Sequence, residues 1–164
     1  MVRLSMLIVA MLVANAAAAD ELPRRKSGLW SMSVTMPGTS VPLTMQQCVD
    51  QKSDDITASM TDKGKQACKT QTKRTGDRLA FDSVCKTSKT TSTTRGVFVG
   101  DFKSSYTLES TTTFDPPAAG TRNGMTKAAA QWAGACKPDM KPGDVVMSNG
   151  VKFNVNDYKS ANKK

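Results

Sequence analysis

No histidine occurs anywhere in the 164 residues. Its absence removes the usual Ser-His and Cys-His nucleophile–base pairs. There is also no Cys-x-x-Cys pair, so structural zinc lacks its ordinary ligand set and thiol exchange lacks its motif. Paired carboxylates occur only as neighbours, Asp54-Asp55, a placement that suits a surface turn or a helix cap better than acid–base work. No motif singles out a Ser-Lys dyad. These gaps point to a non-enzymatic protein without cofactor. Aromatic residues make up 5% of the chain, and lysines and arginines are not interleaved with them. A stacking platform for nucleic acid is therefore missing, and nucleic acid is not expected as a partner. Beyond residue 19 no apolar run reaches the roughly 20 residues that cross a bilayer.

What is present starts with an export signal. Arg3 precedes an apolar run, Leu4 to Ala14, broken only by Ser5, and Ala17-Ala18-Ala19 supplies small residues for cleavage. Residues 1–19 are expected to be removed, leaving a chain that begins at Asp20. No cysteine follows that point, which argues against a lipid anchor. The remaining 145 residues suffice for one domain with its own core. The expected location is the periplasm, with secretion as second choice, and the expected state is soluble. Net charge is +9. A basic balance permits anionic partners, yet the basic residues are scattered, and the clusters Arg24-Arg25-Lys26 and Lys163-Lys164 lie toward the ends. Residues 20–27 and 156–164 are read as flexible, the latter as a basic tail, around a single domain spanning 28–155.

The four cysteines, at 48, 68, 85 and 136, form an even set in an oxidising compartment, which implies two disulfides. Cys68 and Cys85 are symmetric about Gly76-Asp77, a dipeptide suited to a two-residue hairpin turn. Thr75 then faces Arg78, Thr72 faces Phe81, and Cys68 faces Cys85. Directly opposed residues of this kind approach to about 4.5 Å between Cα atoms, within disulfide reach. Leu79, Phe81 and Cys85 share one face, while Lys69, Lys73 and Arg78 share the other.

An earlier hairpin is equally legible. Trp30 to Met36 alternates large apolar with small polar residues, Pro37-Gly38 turns the chain, and Val41, Leu43 and Met45 alternate on the return. Met36 faces Val41, Val34 faces Leu43, and Met32 faces Met45. Residues 50–60 lose the alternation and are expected to form a short surface helix or loop. Residues 87–94 are mostly Ser and Thr; threonine is β-branched and suits a strand. A third hairpin about Gly100-Asp101 is expected to pair Val99 with Phe102, Val97 with Ser104 and Arg95 with Tyr106. Asp115 to Gly120 reads as a loop, Met125–Ala133 fits strand or helix, and residues 145–155 suggest a small hairpin across Asn149-Gly150. The fold expected is all-β: a curled antiparallel sheet of hairpins, a half-barrel or small sandwich.

Several of these features occur together in one family. The export signal, Arg25-Lys26-Ser27-Gly28-Leu29-Trp30 opening an alternating strand, Gln47-Cys48-Val49, the Cys68-Lys69…Cys85 hairpin, Gln131-Trp132-Ala133-Gly134-Ala135-Cys136 and Lys141-Pro142-Gly143-Asp144 resemble the DUF3617 family of bacterial envelope proteins, over about residues 24–147. The resemblance implies a strand at 125–133 and supplies no catalytic residues, the family's function being unknown. With Cys68 paired to Cys85, Cys48 and Cys136 remain as the second bridge, closing almost ninety residues. In the loop-entropy account such a closure is worth roughly 4–5 kcal/mol.

Seven methionines lie beyond residue 19, at 32, 36, 45, 60, 125, 140 and 147. Thioethers suit copper, but core packing accounts for Met32, Met36 and Met45 on one hairpin face, and no metal is expected. The functional expectation is binding of a small apolar or amphipathic molecule in a cavity enclosed by the sheet. Trp30, Met32, Met36, Phe81, Tyr106 and Phe114 would line it, and Arg95 would meet an anionic head group. The alternative is a structural or protein-interaction module of the envelope that uses sheet edges or the basic face of Lys69, Lys73 and Arg78 to engage another envelope protein.

Overall fold

The structure, a computed structural model, describes residues 22–52, 54–56 and 67–157. The expected export signal, part of the 50–60 segment and the end of the expected basic tail lie outside the described residues. Nine strands are present among the described residues: β1 Gly28–Thr35, β2 Leu43–Val49, β3 Ala67–Thr75, β4 Arg78–Lys86, β5 Thr91–Gly100, β6 Ser105–Ala118, β7 Thr121–Gly134, β8 Asp144–Met147 and β9 Lys152–Asn154. They form one open antiparallel sheet in the order β3-β4-β5-β6-β7-β1-β2-β8-β9. A run of hairpins from β3 to β7 thus returns to lie beside β1.

The expected pairings that fall within the ladders of the first two hairpins hold, while Met36 and Val41 lie in the turn beyond the end of the β1–β2 ladder. Val34 faces Leu43 and Met32 faces Met45; Thr75 faces Arg78, Thr72 faces Phe81 and Cys68 faces Cys85. Both disulfides are formed, Cys48–Cys136 and Cys68–Cys85. They occupy opposite faces of the sheet. Cys85 lies on the inner face with Leu79 and Phe81, whereas Cys48 lies on the outer face opposite Leu29.

Register explains where the core sits. On the inner face Leu79, Phe98, Leu108, Ala128, Val34 and Leu43 follow one another across six strands. Leu79 and Phe98 of that row are buried together with Trp30, Phe81, Phe102, Tyr106, Ala130 and Val49, and Leu22 and Ile56 pack against them. The Phe102 and Tyr106 rings stack at 5.4 Å between centroids, and Trp30 meets Tyr106 at 5.5 Å. Alternate residues of β4 are buried and exposed along its whole length, as a one-sided strand requires. Toward the other end the inner face turns hydroxylic. Thr70 bonds Ser83 at 2.8 Å and Thr94 bonds Thr112 at 2.9 Å. On the outer face a smaller cluster of Leu29, Cys48 and Met140, with Cys136 and Val146, surrounds the long-range disulfide.

Three expectations are corrected. The β5–β6 hairpin is offset: Gly100 faces Tyr106, Val99 faces Thr107 and Val97 faces Glu109, while Arg95 faces Thr111 rather than Tyr106. The loop is longer than a two-residue turn because the Asp101 carboxylate accepts hydrogen bonds from the Ser104 hydroxyl and from the amides of Lys103, Ser104 and Ser105. These bonds hold its pKa well below the usual carboxylate range, the Ser104 hydroxyl first among them. Phe102, 1% exposed, is thereby tucked into the core at φ 57°.

Residues 115–118 continue β6 instead of forming a loop. β5 starts at Thr91, opposite Asp115, so Pro116 and Pro117 lie beyond its reach and cost the β5 ladder no hydrogen bond. Residues 22–27 do not hang free. The Lys26 amide donates to the Phe102 carbonyl, Trp30 Nε1 donates to the Lys26 carbonyl, and Arg25 is buried.

Met125–Ala133 is strand, within β7. It pairs on both sides, with β6 and with β1, and its small residues have a use there. Ala130 lies between Tyr106 and Met32, low enough for the Tyr106 hydroxyl to reach Met32 Sδ at 3.6 Å. The terminal hairpin forms as β8 and β9, with Asp144 opposite Asn154.

Candidate functional site

A groove of about 390 Å³ lies on the outer face, over β4, β5, β6, β7 and β1. Val97 and Val99 of β5 and Ala129 of β7 make its apolar floor, and Ser33, Thr35 and Thr107 add small polar groups. Arg78, Glu109 and Lys127 supply the charge. The ladder sets these positions: Arg78 stands opposite Val99, Glu109 opposite both Val97 and Lys127, and Thr35 opposite Lys127. Lys127 Nζ is 3.1 Å from Glu109 Oε1, so that cation is already engaged. Arg78 borders the groove and has no ion pair among the described residues. The groove thus offers a strip of apolar floor with a fork-shaped cation donor at the β4 side.

Opposite the groove, on the inner face, a polar cluster is buried at the edge of the aromatic core. The Arg25 guanidinium donates to Asp54 Oδ1 through Nη2 at 2.7 Å, to Gln47 Oε1 through Nη1 at 2.9 Å and to the Tyr106 hydroxyl at 3.5 Å. Asp54 also accepts from the Arg25 amide at 2.8 Å. Both partners are nearly inaccessible, with side chains 8% and 3% exposed. Burial is the largest single effect and works against the guanidinium charge, but the Asp54 hydrogen bond together with the electrostatic attraction of Tyr106 and Asp54 outweighs it, and the Arg25 pKa lies above its ordinary value. For Tyr106 burial dominates, and its pKa is raised despite Arg25. With every strong donor satisfied, the cluster closes the core beneath residues 22–27 and 54–56 rather than presenting a reactive group.

The seven residues expected to line a cavity do not gather into one. Trp30, Phe81 and Tyr106 are buried in the core, Met32 packs against it, and Phe114 is half-buried further along the inner face, opposite Ser92. Met36 is 45% exposed at the end of the first hairpin. Arg95 lies on the outer face, its side chain 80% exposed, and pairs with Asp82 at 2.9 Å. None of the seven borders the outer groove.

Sequence reasoning missed the groove because the expected pairing of Arg95 with Tyr106 puts Val97 and Val99 on the cavity side of β5, whereas the offset register of the hairpin places them on the outer face. The signal was the unbroken apolar run Val97-Phe98-Val99, which marks a strand covered on both faces. Arg25 was missed because a run of three basic residues reads as a solvated tail. Among the described residues no three Cys, Asp or Glu side chains converge as metal ligands, and all four cysteines are in disulfides.

The family model described as "Protein of unknown function (DUF3617)" matches residues 25–136, from the buried arginine to the last cysteine. No curated protein and no solved structure matches the chain.

Proposed function

The chain belongs to the DUF3617 family, and on that premise we propose that it is a non-catalytic binding module of the bacterial envelope, exported to the periplasm, that holds a small amphipathic molecule in its outer-face groove. The observation that carries this reading is the combination of apolar floor and unpaired cation: Val97, Val99 and Ala129 beside Arg78. A volume of about 390 Å³ falls in the range of small-molecule sites, roughly 300–1,000 Å³. The apolar part of a ligand would cover the valines, and an anionic head group would take the two parallel hydrogen bonds that guanidinium offers. Export is supported by the signal-like first nineteen residues and by two disulfides, which persist in oxidising compartments.

Native mass spectrometry of protein purified from its own envelope fraction tests this. An anionic amphiphile should co-purify with the wild-type chain and be lost from Arg78→Ala. A ligand-free mass accompanied by a bound protein would overturn the proposal in favour of an interaction module. One observation favours that second reading: Met36, Val41 and Met125 are 45%, 76% and 56% exposed, toward the β1–β2 turn and the adjoining part of β7.

A further inference from the structure

The inner face carries a second arrangement, independent of the groove. Met32 of β1 stands directly opposite Met45 of β2, and Met45 stands directly opposite Met147 of β8. Opposed residues project from the same face, with Cβ atoms about 4.5–5.5 Å apart. Three thioethers therefore form one row across three adjacent strands. All three methionines are half-buried. We propose that this row is a soft-metal site, in which the sulfurs of Met32, Met45 and Met147 take one monovalent cation, Cu(I) or Ag(I).

Thioether sulfur is a soft, neutral donor that selects Cu(I) over harder divalent ions. Neither histidine nor, among the described residues, a free cysteine competes for the ion. Methionine is unbranched and has three rotatable bonds, so the outer two side chains can lean over Met45 and converge on one ion. Packing explains the other buried methionine. Met140, 7% exposed, sits against Leu29 and Cys48. It also explains part of Met32, which touches the aromatic core. Met45 and Met147 belong to neither buried cluster among the described residues.

Met32 Sδ accepts two long hydrogen bonds, from the Tyr106 hydroxyl at 3.6 Å and from Arg25 Nη1 at 3.9 Å, and gives up one of them to the ion. The guanidinium charge beside the sulfur is offset by Asp54 at 2.7 Å. Binding as proposed is simple coordination of an ion that arrives in its +1 state.

Titration of the disulfide-intact protein with silver nitrate in chloride-free buffer tests the site. Native mass spectrometry should show one Ag(I) per chain and no Zn(II). With Met methyl groups labelled with ¹³C, the resonances of Met32, Met45 and Met147 should shift while those of Met36, Met125 and Met140 stay. Met45→Leu should weaken binding at least tenfold and Met125→Leu should not change it. Leucine for methionine keeps the volume and is well tolerated; should Met45→Leu fail to fold, Met147→Leu reports the same loss. Absence of a one-to-one complex, or one undiminished in the folded Met45→Leu or Met147→Leu variant, would overturn the proposal.

Discussion

Arg25 is the residue whose environment differs most from its sequence context. It sits in a basic triplet, yet its guanidinium is enclosed by Asp54, Gln47 and Tyr106. A buried pair is costly to break from one side, because the survivor is left charged and without water. Asp54→Ala should therefore destabilise the fold by roughly 3–5 kcal/mol, measured by urea denaturation. Exchanging both partners for apolar residues should recover much of that loss, so a double-mutant cycle separates the pair's own worth from the penalty of an orphaned charge. Asp144 provides a pH test. Asn154 Nδ2 donates to its carboxylate at 2.7 Å, the Lys141 amide adds another bond, and Lys152 Nζ lies 3.1 Å away. Its pKa is pushed down to about 2 from 3.8, by Asn154 first. A folded value below the unfolded one means stability that is complete above about pH 4 and is lost as pH falls toward 2. Asp144→Asn should flatten this part of the acid limb of stability, read from denaturant midpoints at successive pH values.

The hairpins divide by whether their turns depend on local chemistry alone. β3–β4 was legible to the last pair: a two-residue turn at Gly76-Asp77, with φ 62° at the glycine, sets the register of everything behind it. β5–β6 was not, because its loop is organised by the Asp101 carboxylate and by burial of Phe102 among Phe98 and Tyr106. An aromatic residue that is part of a loop and also part of the core cannot be placed by alternation. The shift moved Arg95 away from Tyr106 and removed the cation expected at the cavity. Within β5, Gly96 is required by its neighbour: a Cβ there would lie 2.5 Å from Phe81 Cζ and 2.7 Å from Ser110 Cβ. Gly96→Ala should cost about 1–3 kcal/mol of stability, as overpacking does, measured by thermal or urea melts.

For the molecule as a whole, the two disulfides act on different scales. Cys68–Cys85 spans 17 residues within one hairpin, and Cys48–Cys136 spans 88, tying β2 to the segment after β7. Loop-closure entropy predicts that removing the longer bridge as a Cys48→Ala/Cys136→Ala pair costs roughly 4–5 kcal/mol, against about 3 kcal/mol for the shorter one. Urea midpoints of the two double variants decide whether that order holds. From the sequence alone came the all-β class, two hairpin registers and both cysteine pairings, because side-chain alternation and turn residues act over a few neighbouring positions and the family resemblance supplied the last bridge. Three further features depended on the tertiary fold: that β7 returns beside β1, that Val97, Val99 and Arg78 share a groove, and that Met147 joins a row begun more than a hundred residues earlier. Such placements depend on which strands become neighbours in the sheet, a choice made by burial of the whole inner face and invisible to any local pattern.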